Sequence, residues 1–192
     1  KVNRRKALKN LFVFSVFTSI GIGGYKFYKA KKEPLLASLN EYKDLIAEVA
    51  NTIIPETDTP GAIGANVQDF IINVIKNCAP IQNQNNFISG LNDLEAYCQL
   101  NYQLGFCKCT LAQKIKTLNY FEEKEVSKFS VINKINNKLF GQPFISQFKT
   151  LTIQGYCMSY VGATKGLAYE YVPGSYIPCT PLKYNQKSWA TK

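Results

Sequence analysis

Apolar residues recur at helical spacing along several stretches of the chain, and no convincing run alternates in the manner of a strand. Tyr42, Leu45, Ile46, Val49 and Ile53 share one helical face. Ser38 with Glu41 three places on predicts a capping box at the start of that helix. Pro55 lacks an N–H and disfavours helix in the residue before it, so the helix should stop near Ile54. Asn66 is the expected cap of a second helix, with Val67, Phe70, Ile71, Val74 and Ile75 inward and Cys78-Ala79-Pro80 at its end. The polar tract at residues 82–86 leads into a third, whose apolar face is Phe87, Ile88, Leu91, Leu94 and Cys98 and which Gly105 closes. Thr110 and Gln113 form another capping box before Leu111, Ile115, Leu118 and Phe121. Pro143 suits the first turn of a last helix carrying Phe144, Ile145, Phe148, Leu151 and Thr152 on one side. From Tyr169 the periodicity lapses. The pattern predicts a mainly α-helical domain of about five helices with an irregular C-terminal arm.

Between the first two helices, Glu56-Thr57-Asp58-Thr59-Pro60-Gly61 sets hydroxyl, carboxylate, Pro and Gly side by side, a dense turn signal. Pro55, Thr57, Asp58, Pro60 and Gly61 are therefore read as a rigid structural loop that fixes the angle between two helices. Gly61 is the position expected to need a positive φ.

Charge separates the chain into two parts. The net charge of +10 would suggest nucleic acid or anionic lipid if it were spread evenly. Residues 1–32 hold nine basic residues (Lys1, Arg4, Arg5, Lys6, Lys9, Lys26, Lys29, Lys31 and Lys32) and no acid. Taking those nine from the 23 Lys and Arg leaves 14 against 13 Asp and Glu, so the remainder is near +1. A nucleic-acid surface is not expected. Asn3-Arg4-Arg5-Lys6-Ala7-Leu8-Lys9 followed by the apolar run Leu11 to Tyr25 resembles a twin-arginine export signal, with Arg4 and Arg5 as the recognised pair. No A-x-A site follows, and Tyr25-Lys26-Phe27-Tyr28-Lys29 is basic and aromatic instead. Eighteen residues of helix, to Tyr28, reach about 27 Å, close to the roughly 30 Å hydrocarbon core, and Lys26 and Lys29 can snorkel. The expectation is a leader at residues 1–32, either removed or, as favoured, retained as an inner-membrane anchor, before a periplasmic domain at residues 33–192.

Candidate chemistry is sparse. The sequence has no His, which excludes Ser-His and Cys-His nucleophiles and a His base. Glu56 and Asp58 could form a carboxylate pair, but turn capping is the better reading. Gly61-Ala62-Ile63-Gly64 lacks the Lys-Ser/Thr of a phosphate loop, and no cofactor is expected in this chain. The six cysteines do not have zinc spacing. Cys78, Cys98, Cys107, Cys109 and Cys179 are candidates for disulfide pairing, with one of Cys107 and Cys109 bridging to Cys98 or Cys78. Cys157 reads as a small core residue. In the arm, Tyr169, Tyr171, Pro173, Tyr176 and Trp189 suit a partner-docking surface, because Tyr and Trp are enriched at interfaces.

Two segments carry a resemblance. Thr52 to Ala62, TIIPETDTPGA, with Val67 and Phe70-Ile71, forms the first. Gly155-Tyr156, Ser159, Val161-Gly162-Ala163-Thr164 and Tyr169-Glu170-Tyr171-Val172-Pro173-Gly174 form the second. Together they resemble the gluconate 2-dehydrogenase subunit 3 family over roughly Leu35 to Leu182. Tyr160 departs from the pattern, standing where the family usually has an acidic residue. The resemblance implies an exported, non-catalytic partner of a large flavin-dependent sugar, sugar-acid or polyol dehydrogenase. FAD would then sit in that partner, and a cytochrome c subunit is a further candidate partner. It also places Cys179 where the family often has a cysteine, structural or intersubunit. Two other readings stand beside it: an independent exported, membrane-anchored structural or binding module, and a stand-alone enzyme working through carboxylates.

Overall fold

The computed structural model describes residues 34, 36–125, 137–138, 140–172, 174–175, 179, 181–182 and 184–190. The leader with Arg4 and Arg5 lies outside the described residues, as do Pro173 and Tyr176 of the arm.

Five long α-helices order the described residues: α1 Lys43–Ile53, α2 Val67–Asn77, α3 Ile81–Tyr102, α4 Leu111–Glu125 and α5 Phe144–Met158. Short 3₁₀ turns at Leu36–Asn40 and Phe106–Lys108 precede α1 and α4. Strand pairing among the described residues is confined to one isolated bridge, between Ala168 and Trp189. The mainly helical reading holds.

The hub is α5, which packs against each of the other four helices. Its buried stripe is the predicted one, Phe144, Ile145, Phe148, Leu151 and Thr152, extended by Tyr156. Phe148 stacks on Phe87 of α3 with ring centroids 5.4 Å apart, and Phe144 meets Phe87 edge to face at 5.6 Å. Gly90 of α3 admits this contact, because a Cβ there would fall 2.1 Å from the Phe144 ring. Glu125 at the end of α4 accepts the Ile145 N–H at 3.0 Å and so caps α5 from another helix. Burial raises the Glu125 carboxyl above its usual range, against the lowering effect of the backbone N–H groups of residues 144–146.

Several local expectations are corrected. The first helix begins at Lys43 and not at Ser38; Tyr42 is its cap position and makes no side-chain capping bond, while residues 36–40 wind as a 3₁₀ turn. Asn66 occupies the cap of α2, but in the left-handed region with φ 52° and without a side-chain capping bond. Gln103, with φ 55°, terminates α3 in place of Gly105. The Thr110–Gln113 box forms as expected, with the Thr110 N–H donating to Gln113 Oε1 at 2.9 Å. Yet α4 is rotated from the predicted face. Leu111 and Ile115 are exposed, whereas Lys114 and Thr117 are buried with Leu118 and Phe121. Lys114 Nζ is neutralised by Glu48 Oε1 of α1 at 2.6 Å. The Thr117 hydroxyl donates to the Gln113 carbonyl at 2.8 Å. With both polar tips satisfied, their burial costs little.

Candidate docking site

The α1–α2 loop is built by backbone contact. The Ala62 N–H donates to the Ile54 carbonyl at 2.9 Å, closing the loop on the end of α1. Gly61 lies in that closure. A Cβ added there would come 2.6 Å from Glu56 N, 2.8 Å from Pro55 C and 3.0 Å from Ile54 O. Its φ is not in the positive region, so the expected reason for glycine is corrected: the residue is needed for close approach of two backbones. At the exposed tip the Thr57 hydroxyl donates to Asp58 Oδ1 at 3.0 Å, and the Thr57 N–H to the Thr59 carbonyl at 3.0 Å. Asp58 is thus engaged locally, as a turn residue would be.

The far end of the chain closes onto this loop. The Tyr156 hydroxyl of α5 donates to the Pro60 carbonyl at 2.8 Å, joining residues 96 positions apart. One residue earlier, Gly155 lets α5 lie against α2; a Cβ there would be 2.7 Å from the Phe70 ring and 3.2 Å from Val67. Beyond α5 the Ser159 hydroxyl donates to the Tyr156 carbonyl at 2.7 Å and accepts the Gly162 N–H at 2.9 Å. A π-turn, Gly162–Gly166, follows, closed by the Leu167 N–H on the Gly162 carbonyl at 2.9 Å. Gly166 then passes the Tyr156 ring, where a Cβ would sit 2.4 Å from the hydroxyl oxygen. Tyr156 is the pin of this joint. Periodicity assigned it no role, and its place in the second segment was the signal that could have done so.

The arm leaves from this joint and comes back to it. Ala168 donates its N–H to the Ser188 carbonyl and accepts the Ala190 N–H, both at 2.8 Å, so Trp189 runs parallel to the start of the arm. Lys187 Nζ adds a bond to the Lys165 carbonyl at 2.6 Å. Tyr169, Tyr171, Val172, Leu182, Tyr184 and Trp189 are nevertheless exposed, Tyr171 at 87% and Tyr184 at 96%. Met158 and Tyr160 are exposed as well, the latter at 80% in the position where an acidic residue was expected. The two segments singled out in the sequence therefore meet in space, and the chain that follows the second bears exposed apolar and aromatic side chains.

A sequence profile of the family described as gluconate 2-dehydrogenase subunit 3 matches residues 40–174, more than half of the 192-residue chain. The chain belongs to the gluconate 2-dehydrogenase subunit 3 family. Subunit 3 is by that description one part of a dehydrogenase of several subunits. The match spans both segments of the joint, from α1 through the first residues of the arm. No curated protein and no solved structure gives a match.

Other features of this subunit 3 chain are of lesser chemical reach. Among the described residues no three Cys, Asp or Glu side chains gather as a metal site would require. Nor is any helix among them long and apolar enough to cross a membrane. A cleft of about 310 Å³ is lined in part by Glu122, Glu125 and Lys149, and Lys149 Nζ is already paired with Glu122 Oε2 at 2.6 Å. Cys78, Cys107 and Cys179 are exposed free thiols, and Cys98 and Cys109 are buried ones. Cys107 faces outward from the 3₁₀ turn while Cys109 turns inward, which separates the two members of the C-x-C pair. Cys157 is partly buried against the core.

Proposed function

We propose that this chain is a non-catalytic accessory subunit that holds a large flavin-dependent sugar, sugar-acid or polyol dehydrogenase through its C-terminal arm. On this reading FAD and the reacting groups belong to the large subunit. The small subunit supplies a preorganised surface and, through the leader, export by the twin-arginine route and an anchor in the inner membrane. The observation that carries the proposal is the joint between the two family segments. It fixes the base of the arm by hydrogen bonds while leaving the arm's rings in water. Large exposed rings carried on an ordered base suit burial against a partner. Membership of a dehydrogenase subunit family supports a large oxidoreductase chain as that partner.

The test expresses the full chain in its native cells and purifies it from their membranes through a tag on the small subunit. Flavin fluorescence in the eluted complex is the readout. Tyr171→Ser combined with Tyr184→Ser should leave the helical circular dichroism unchanged and strip most of the flavin-bearing chain from the eluate. Wild-type protein that elutes without flavin sinks the accessory-subunit reading. Full retention of flavin by the double variant sinks the arm as its contact.

A further inference from the structure

The unexpected rotation of α4 leaves an apolar corner at the junction of α3 and α4. Helix α3 ends at Tyr102, the 3₁₀ turn Phe106–Lys108 reverses the chain, and α4 starts at Leu111, so the last turn of α3 and the first of α4 share one end of a helical hairpin. With Lys114 paired inward to Glu48, Leu111 and Ile115 stand outward, Leu111 at 62% exposure. On the other limb Leu100 is 84% exposed, and Leu104 in the connection is exposed too. The turn is held in this shape, because the Phe106 N–H donates to Glu95 Oε2 at 3.1 Å and the Phe106 ring is wholly buried. Tyr97 of α3 stacks on Tyr120 of α4 with ring centroids 4.5 Å apart, and both line an open groove of about 570 Å³ with Ile115 and Lys116. Charge on this corner has one sign. From Ala96 to Phe121 the sequence has no Asp or Glu and three lysines, of which Lys108 and Lys116 are exposed. Glu123, which also lines the groove, lies eight residues beyond Ile115, about 12 Å farther along α4.

We infer that the α3–α4 corner rests on an anionic phospholipid surface, with Leu100, Leu104, Leu111 and Ile115 at the acyl boundary and Lys108 and Lys116 among the headgroup phosphates. The side-chain types choose this occupant over a protein. Lys is depleted at protein interfaces and Leu is scarce among their hot spots, whereas the arm carries the Tyr and Trp that such interfaces favour. Hydrocarbon accepts Leu and Ile without directional demands. Lysines on the same face keep their stems in the apolar layer and their ammonium groups at the phosphates. Tyr97 and Tyr120 have apolar rings with a polar tip, which suits the boundary between the two layers. The lysines supply attraction that salt screens, and the aliphatic side chains supply attraction that it does not. The inference rests neither on the accessory-subunit reading nor on the leader, since a corner of this kind lies on a membrane and does not cross it.

The experiment places a fluorescent bimane on the corner of the full chain. Cys78→Ser, Cys157→Ser and Cys179→Ser together leave Cys107 as the exposed thiol, because Cys98 and Cys109 are buried. A companion protein carries Cys107→Ser and keeps Cys78, which precedes α3; the 22 residues of that helix separate the two labels by about 33 Å. Each is reconstituted into vesicles of phosphatidylglycerol and phosphatidylcholine that contain a lipid with a spin-label quencher near the top of its acyl chain. The Cys107 label should lose most of its emission and the Cys78 label little. Quenching at Cys107 should fall about twofold or more when phosphatidylglycerol is left out. Leu100→Ser with Leu111→Ser should remove most of it with the helical circular dichroism unchanged, and Lys108→Glu with Lys116→Glu should do so through charge alone. Equal quenching at the two positions overturns the inference, as does quenching at Cys107 that survives both double variants. Shielding of the Cys107 label before lipid is added overturns it too: sedimentation as a dimer would give the corner to a second copy, and a co-purified large subunit would give it to that chain.

Discussion

The loop closure at Gly61 can be tested with a single methyl group. In Gly61→Ala the added carbon would stand 2.6 Å from Glu56 N, 2.8 Å from Pro55 C and 3.0 Å from Ile54 O. All three atoms are backbone, so no flexible side chain can swing aside, and the Ala62–Ile54 hydrogen bond must lengthen or the loop must open. Overpacking of this kind costs about 1–3 kcal/mol, and three rigid contacts point to the upper half of that range. At about 2–4 °C per kcal/mol for a domain of this size, the melting temperature should fall by roughly 5–10 °C. Gly64, three residues on, is the internal control. A Cβ there meets Pro60 Cβ at 3.5 Å and Gly61 O at 3.6 Å, which is ordinary contact, and its φ is not positive. Gly64→Ala should melt within about 1 °C of wild type, or slightly higher through a less flexible unfolded chain. The assay is thermal unfolding followed by helical circular dichroism. Equal melting of Gly61→Ala and wild type would refute the close-approach argument. An equal fall in both variants would show that the loop responds to any added methyl and that Gly61 is not special.

Tyr156→Phe removes only the hydroxyl that reaches Pro60; it should cost about 1 kcal/mol and lower the melting temperature by about 2–4 °C, and no change would mean the joint is held by packing alone. Glu125 binds its proton more tightly in the folded than in the unfolded chain, so its contribution to stability is fully present below the ordinary carboxylate range and is lost as pH rises through the elevated native value. Urea unfolding of wild type across that window should show this decline, and Glu125→Gln should flatten it; parallel curves would refute the assignment. Replacing Arg4 and Arg5 together by Lys keeps the charge and loses the planar guanidinium pair, so cell fractionation should find the chain and its flavoprotein in the cytoplasm. Undiminished export of the double variant would refute the twin-arginine reading.

How far the sequence alone could go is clearest on α4 and α5. On α5 every predicted inward residue is buried, because its neighbours are apolar helices on several sides and nothing competes with its stripe. On α4 periodicity favoured Leu111 and Ile115, and the helix instead buries Lys114 and Thr117. What turned it is Glu48, 66 positions earlier on α1, and no local pattern can report a partner that distant. The start of α1 was misread for a related reason. Ser38 and Glu41 satisfy a capping pattern on paper, but the chain there winds as a 3₁₀ turn packed against α2. The site was legible only as two separate strings of residues. That Pro60 and Tyr156 touch follows from how α5 crosses the core, and only the family resemblance hinted that the strings belong together.

On the proposed docking role, the same crossing makes the arm better suited to recognition than a free tail would be. A disordered peptide must lose its backbone freedom on binding, at roughly 1–2 kcal/mol per residue fixed. Here both ends of the arm are held before any partner arrives: the start by the π-turn on Tyr156, the end by the Ala168–Trp189 bridge. Closing that loop is an entropy cost met by folding, so it does not fall on the binding step. The exposed rings then contribute area with few rotatable bonds, since Tyr and Trp have only two side-chain torsions each. Affinity would thus depend on the rigidity of the joint as well as on the rings themselves. It follows that Tyr156→Phe, remote from the exposed rings, should weaken assembly with the flavoprotein in proportion to the freedom it returns to the base of the arm. A variant that loosens the joint without changing assembly would confine recognition to the rings alone.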